Sequence, residues 1–356
     1  MGREGDEGLA TMENIAPGRL IDCHSDLMVD VFRRRRQGER DVVSREHLPG
    51  FRMGGVVACV CTCGGDVRAL QPLGQDEPYA NAVALLEELQ SDAAESEGRV
   101  AVVTSTDEIA QCIEQGVLAI IPGLEGASPI MGDLGRLADL HDRGVRVIGL
   151  TWNSRNELAV GLDAGDGGLT ELGVAAIEAM NRLGIMIDLA HASPSTFWDV
   201  ARESSAPLVV SHANAKSVWD HPRNLDDEQL DAVGSSGGVV GLCLYPSFIG
   251  PQPVTLEQLL DHADYLVQRI GVTSVVVGAD FIDYALDEIL GDLQGHSALY
   301  PEGSFTYPAG LESASGLQNL MRGLEARGLV GETLAMIGVA NFLRTLEQTE
   351  RVAVGV

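Results

Sequence analysis

Lysine is almost missing from this sequence: Lys216 is the only one, and arginine supplies the rest of the 24 cationic side chains. Against 52 acidic residues they leave a formal charge of −28. A surface of that sign repels phosphate backbones, so nucleic acid is excluded as a partner. Long apolar runs are missing as well; none approaches the roughly 20 residues that a spanning helix needs. Met1 to Leu20 is polar and lacks the apolar core of a secretory signal. Glu347 to Val356 is too short and too polar for a lipid-anchor tail. A cytoplasmic protein that does not engage membranes is therefore expected. Cysteine is scarce too. Cys59, Cys61 and Cys63 alternate within a β-branched run, so they share one face of a strand, and no second pair sits at ligand spacing. They read as small packing residues.

No internal repeat, low-complexity tract or Pro/Gly/Ser-rich linker divides the chain. Its 356 residues suit two or three domains by length, but barrels occupy this range as one unit. The simplest division is a short leader, 1–17, and one domain, 18–356. Short apolar runs recur along it: Arg19–Asp22, Val56–Thr62, Leu118–Gly123, Val145–Thr151, Ile185–Ala190, Pro207–Ser211, Gly238–Tyr245 and Ser274–Gly278. They are too short for helices and nearly continuously apolar, as parallel strands buried on both faces should be. Helical periodicity fills the intervals, at Asn81–Ala94, Leu134–Arg143, Thr170–Leu183, Ser195–Glu203, Asp226–Val233 and Leu256–Ile270. Two more helical stretches, Leu311–Arg327 and one around Leu334–Glu347, close the chain. Such alternation is the pattern of a closed parallel barrel or a doubly wound open sheet. A single-domain (β/α)8 barrel is the expectation adopted, with the extra run Val100–Thr104 as a ninth strand outside it.

Metal-capable residues fall at the ends of these runs. The first run leads into His24-Ser25-Asp26, the third into Glu125, the fifth into His191, the sixth into His212 and the eighth into Asp280. In a parallel barrel these ends share one rim, where active sites of this architecture are built. His24 and Asp26 are two apart, so on extended backbone they point the same way and can reach one ion. Imidazole and carboxylate together suit Zn²⁺, and related divalent ions less strictly. Alone, each has a bland reading: a histidine after a strand is ordinarily a hydrogen-bonded core or capping residue. Glu125 alone would be a surface carboxylate. Five such residues after four strands point to a metal site. His47, His141, His262 and His296 lie away from strand ends and are read as structural, and His221 has no assigned role. Arg33–Arg36 reads as a solvated helix face.

Several motifs in order resemble one family. Glu46-His47-Leu48-Pro49-Gly50, Gly123-Leu124-Glu125-Gly126, Asn181 through His191, Ser211-His212, Pro222-Arg223-Asn224 and Asn341-Phe342-Leu343-Arg344 are similar to the membrane (renal) dipeptidases, metallopeptidases on amidohydrolase-like barrels. The resemblance runs from about Leu20 to Arg344. It implies two Zn²⁺ per subunit: His24 and Asp26 on one, His191 and His212 on the other, Glu125 bridging. It also implies Arg223 gripping the substrate's C-terminal carboxylate, Asp280 moving the proton, and Trp152, Asn153 and Tyr245 at the substrate. The implied reaction is dipeptide hydrolysis by a metal-bridging hydroxide, with a D-residue tolerated at the C-terminal side, in a homodimer. One position departs: many members have histidine where this chain has Trp152. That histidine is placed in the site, polarising the substrate, and an indole can offer only one N–H in its stead. The competing expectations are another hydrolase of this superfamily, acting on N-acyl amino acids, lactones or phosphoesters, and a catalytically inactive metal-binding homologue.

Overall fold

The computed structural model describes residues 18–296, 299–300 and 305–355. The expected leader, 1–17, therefore lies outside the described residues. Nine parallel strands form the sheet: β1 Leu20–Ser25, β2 Val56–Gly65, β3 Val100–Val102, β4 Leu118–Glu125, β5 Val147–Gly149, β6 Met186–Asp188, β7 Val209–Val210, β8 Val239–Leu242 and β9 Val275–Val277. Eight of them close a ring, because β2 pairs directly with β4 and β1 pairs with both β2 and β9. The ninth, β3, pairs only with the first residues of β4 and stands outside the ring, as the sequence suggested. The protein is a single-domain (β/α)8 barrel.

Alternation along the strands sorts their side chains into two cores. One parity of strand residues, including Ile21, Ala58, Val60, Ile121, Met186 and Val276, joins Phe342 and Leu346 of the C-terminal helix, Asn341–Val354, in an inner cluster. Asn341 ties that helix to the barrel by donating to the carbonyls of Val272 and Val275, each at 2.8 Å. The other parity, with Cys59, Cys61 and Cys63, packs outward against the helices. The three thiols are buried and unbridged, which matches their reading as packing residues. Above the inner layer the strands turn to glycine. A Cβ on Gly241 or on Gly278 would lie 1.8 Å from the Ser211 carbonyl oxygen, so only glycine lets β7 sit this close below the rim.

Helix starts follow local chemistry. Thr170 and Ser193 cap their helices by side-chain acceptance, and Asp226/Gln229 and Thr255/Gln258 form capping boxes. The first C-terminal helix begins later than its periodicity implied, at Leu317, whereas the second is helical from Glu332, passing through a π turn at Met336–Ala340 into Asn341–Val354. The arginine run is corrected in part: Arg33 and Arg36 are exposed, but Arg35 is buried against Glu88, Asp92 and Glu95 of the helix Pro78–Glu95. Overall acidity could not reveal that three of those carboxylates lie on a neighbouring helix. Among the described residues no helix is long and apolar enough to cross a membrane.

Candidate metal centre

Five predicted residues and a sixth converge at the C-terminal rim. His24 Nε2 lies 3.7 Å from Asp26 Oδ1, 3.6 Å from Glu125 Oε1 and 3.9 Å from Asp280 Oδ1. His191 Nε2 lies 3.0 Å from Glu125 Oε1 and 3.0 Å from His212 Nε2. Among the described residues, three overlapping sets have ligand atoms within 4.8 Å of one another: His24/Asp26/Glu125, Glu125/His191/His212 and His24/His212/Asp280. Glu125 belongs to both of the first two, which is the geometry a bridging carboxylate requires.

Neighbours leave the ligand atoms free to face inward. The Ser211 hydroxyl donates to Asp188 Oδ2 at 2.5 Å and so accepts from His212 Nδ1 at 2.8 Å, leaving the lone pair on Nε2. Asp188 is itself held by the amides of Ser211 at 2.8 Å and Ala190 at 3.1 Å. Asn153 Oδ1 faces His191 Nδ1 at 2.9 Å and orients that ring the same way. Thr62 donates to Asp26 Oδ1 and to the Ser25 carbonyl. Asp22 accepts from the Ala279 amide at 2.8 Å, joining β1 to the strand end that carries Asp280. Asp66 accepts from the amides of Ser128 and Trp152 and from the Asn156 side chain, while its own amide donates to the Glu125 carbonyl. Sequence reasoning passed over Thr62, Asp66, Asp188 and Ser211, because a carboxylate or hydroxyl near a strand end carries no signal until its partner is known.

The electrostatics describe a cluster of buried carboxylates crowded around His24. Burial, reinforced by Asp26, holds Glu125 well above the ordinary carboxylate range, and burial likewise raises Asp280. Burial pushes Asp22 up to about 7. Burial alone would lower His24, yet Glu125, Asp26 and Asp280 together drive it well above the usual imidazole value. His24 Nε2 nonetheless has no hydrogen-bond partner. Burial first, then the nearby cationic charge of Arg223 and His24, keeps His191 and His212 neutral. Neutral imidazole lone pairs aimed at each other and at carboxylates, with an orphaned nitrogen at the focus, fit divalent cations.

The substrate side is built from later loops. Arg223 is 2% exposed; its Nη2 lies 3.1 Å from His191 Nε2, and its Nε and Nη1 have no partner. Phe248 lies under the guanidinium at 5.2 Å, and the His221 ring accepts the Arg223 amide at 3.2 Å while bonding the Leu299 carbonyl at 3.0 Å. His221, unassigned from sequence, therefore props the arginine loop. Asp280 has a φ of 55°, a left-handed conformation costly for a non-glycine residue, and the Tyr307 hydroxyl pins its carbonyl at 3.2 Å. Trp152 is buried, its ring centroid 6.1 Å from that of His191, and His296 packs edge-on against it at 4.8 Å while pairing with Asp163. Tyr245 stacks on Phe248 at 4.7 Å and lines the same wall. Asn153 has both ends of its amide engaged by protein, Oδ1 on His191 and Nδ2 on Tyr300, so its place is behind the histidine.

Comparison with known proteins agrees with this geometry. The sequence model of the membrane dipeptidase family, peptidase family M19, matches residues 15–355. This chain belongs to the membrane dipeptidase family. Among its relatives, the dipeptidase verJ of Clonostachys rogersoniana is 30% identical over 259 residues, 72% of this chain and 61% of that protein. An uncharacterized dipeptidase of Schizosaccharomyces pombe is 28% identical over 352 residues, covering 93% and 81%. The solved structure of a metallo peptidase from Rhodobacter sphaeroides, liganded with a phosphinate mimic of the dipeptide L-Ala-D-Ala, superposes with a TM-score of 0.81. It is 26% identical, over 94% of this chain and all of that one. Membership of this metallopeptidase family implies that the chain depends on metal.

Proposed function

We propose that this chain is a zinc dipeptidase with two ions per subunit, hydrolysing the amide bond of dipeptides, those with a D-residue at the C-terminal side included. The observation that carries the proposal is the juxtaposition of two ligand sets sharing Glu125 with the buried, half-partnered guanidinium of Arg223. His24 and Asp26 would hold one ion, His191 and His212 the other, and Glu125 both. Bound there, the ions supply Lewis acidity toward the carbonyl and acidify a water near neutral pH.

The chain's own residues do the rest. Arg223 keeps N–H donors on Nε and Nη1 without a protein partner, and these can hold the C-terminal carboxylate of the substrate before attack. Asp280 is the most accessible carboxylate of the cluster, at 14% side-chain exposure against 7% for Asp26 and Glu125. Its oxygen lies 3.9 Å from His24, beside the point of attack, so it can take a proton from water and return it to the departing amine. Trp152 and Tyr245 wall the cavity and exclude solvent.

A carboxylate clamp favours dipeptides over lactones and phosphoesters, which lack a free carboxylate. An inactive homologue is disfavoured because the five ligand residues, Arg223 and Asp280 are all retained. A cytoplasmic location is part of the proposal; six unbridged, buried thiols support it. Metal analysis coupled to a panel of L,L and L,D dipeptides, N-acyl amino acids and lactones tests the reading. It predicts near two zinc ions per chain and cleavage confined to substrates with a free carboxylate. Full metal loading with no dipeptide cleaved would overturn it.

A further inference from the structure

One buried hydroxyl beside the cluster keeps a donor to spare. Tyr300 is 8% exposed, and its Oη lies 3.2 Å from Asn153 Nδ2. The direction of that bond follows from the histidine behind it. If His191 presents Nε2 to a metal, its proton sits on Nδ1, and Asn153 Oδ1, 2.9 Å away, must accept it. The amide nitrogen is then turned toward Tyr300 and donates to Oη. The phenolic O–H is left to donate onward.

The residue is firmly held. Its amide bonds the His296 carbonyl at 3.1 Å, the preceding Leu299 carbonyl accepts from His221, and the ring packs against Tyr245 at 5.4 Å and Phe248 at 5.9 Å. Burial pushes the phenol up to about 12, with Arg223 opposing and Asp280 and Glu125 assisting, so the hydroxyl keeps its proton. Asp280 flanks His24, whereas Tyr300 is linked through Asn153 to His191, which Arg223 also contacts. Proton acceptor and spare donor thus adjoin different ligands.

We propose that Tyr300 is a further catalytic residue, whose hydroxyl donates a hydrogen bond to the scissile carbonyl oxygen as that oxygen becomes anionic. The inference rests on the dipeptidase reading above. In the step concerned, the water oxygen bonds to the carbonyl carbon, its proton passes to Asp280, and the C=O π pair moves onto the oxygen facing Tyr300. When that pair returns, the C–N bond breaks and the amine leaves with the proton from Asp280. Tyr300 exchanges no proton and oxidises nothing.

The test is Tyr300→Phe, which keeps the ring packing and removes one oxygen. Turnover of a dipeptide should fall roughly 10²-fold, as for loss of one oxyanion donor, while KM moves less than about threefold, metal content stays at the wild-type value and Tm falls by only a few degrees, since Asn153 Nδ2 loses its acceptor. Calorimetry supplies a readout that needs no turnover. A phosphinate dipeptide mimic, tetrahedral and anionic at the reacting position, should bind the variant much more weakly. A reduced-amide dipeptide without that oxygen should bind both proteins equally. Unchanged phosphinate affinity, or a rise in KM alone, would refute the role. If the wild type bound the phosphinate but cleaved no dipeptide, the dipeptidase reading would fall, and the phosphinate comparison would still judge Tyr300.

Discussion

Removing the Ser211 hydroxyl should weaken metal binding as well as the fold. Ser211 Oγ is the link between Asp188 and His212: it donates to the carboxylate at 2.5 Å and receives the imidazole proton at 2.8 Å. In Ser211→Ala, Asp188 Oδ1 keeps the amides of Ser211 and Ala190, while the buried Oδ2 loses its donor. His212 Nδ1 is left with no acceptor in a position that is 0% exposed. A buried donor without a partner costs about 1–3 kcal/mol. The imidazole can escape that cost by moving its proton to Nε2, which is the atom needed for the ion. Either way the loss falls on the metal-bound state, and about 1.4 kcal/mol per factor of ten gives a metal affinity weaker by roughly 10–100-fold. Serine and alanine differ little in volume, so the metal-free protein loses only what the orphaned Asp188 Oδ2 costs, about 1–3 kcal/mol of unfolding free energy. Competition against a chromogenic chelator measures the first quantity and urea denaturation of apo protein the second. An unaltered metal affinity in Ser211→Ala would refute the argument that this hydroxyl sets the His212 tautomer.

Asp280→Asn should lower kcat by roughly 10²–10⁴-fold with zinc content intact by elemental analysis; lost zinc would make Asp280 a ligand instead. Arg223→Met should raise KM for dipeptides by roughly 10–100-fold yet leave hydrolysis of a C-terminally amidated dipeptide little changed, and equal damage to both would remove the clamp role. Chelation should lower Tm by roughly 5–10 °C, because Asp26, Glu125 and Asp280 lose the cations that offset their burial; readdition of zinc restores it. The pH dependence of stability should carry a His221 contribution. Burial first, then Arg223, pushes its imidazole down to about 4, below the ordinary value near 6.5 that it regains on unfolding. The unfolded chain therefore takes up the proton first as pH falls, and stability present above pH 6.5 is lost progressively toward pH 4, by roughly 1–2 kcal/mol at pH 5. Denaturant melts of His221→Asn at pH 7.5 and pH 5 should show a shallower loss than the wild type, and an identical slope would count against it.

How much of this protein is written in its sequence differs between fold and site. Strand and helix positions were legible because burial on both faces leaves short continuous apolar runs, and helices carry their 3.6-residue period and capping residues. Even the stray strand β3 was marked by a run with no metal-capable residue at its end. The five metal-capable residues were legible for a related reason: in a parallel barrel, chain direction sends every strand end to one rim, so residue type plus position after a strand is enough. Their supports were not. Ser211 matters because Asp188, on a neighbouring strand, turns its proton away from His212. Arg223 matters because its guanidinium is buried without a full set of partners. Tyr300 matters because Asn153, 147 positions earlier, donates to it. Each of these depends on a hydrogen-bond direction or a burial that exists only after distant segments meet. Sequence alone specified which atoms gather at the rim, since local pattern and topology decide that. The tertiary structure decided how their protons and lone pairs are aimed, because hydrogen-bond polarity belongs to pairs of residues that the chain brings together only by folding.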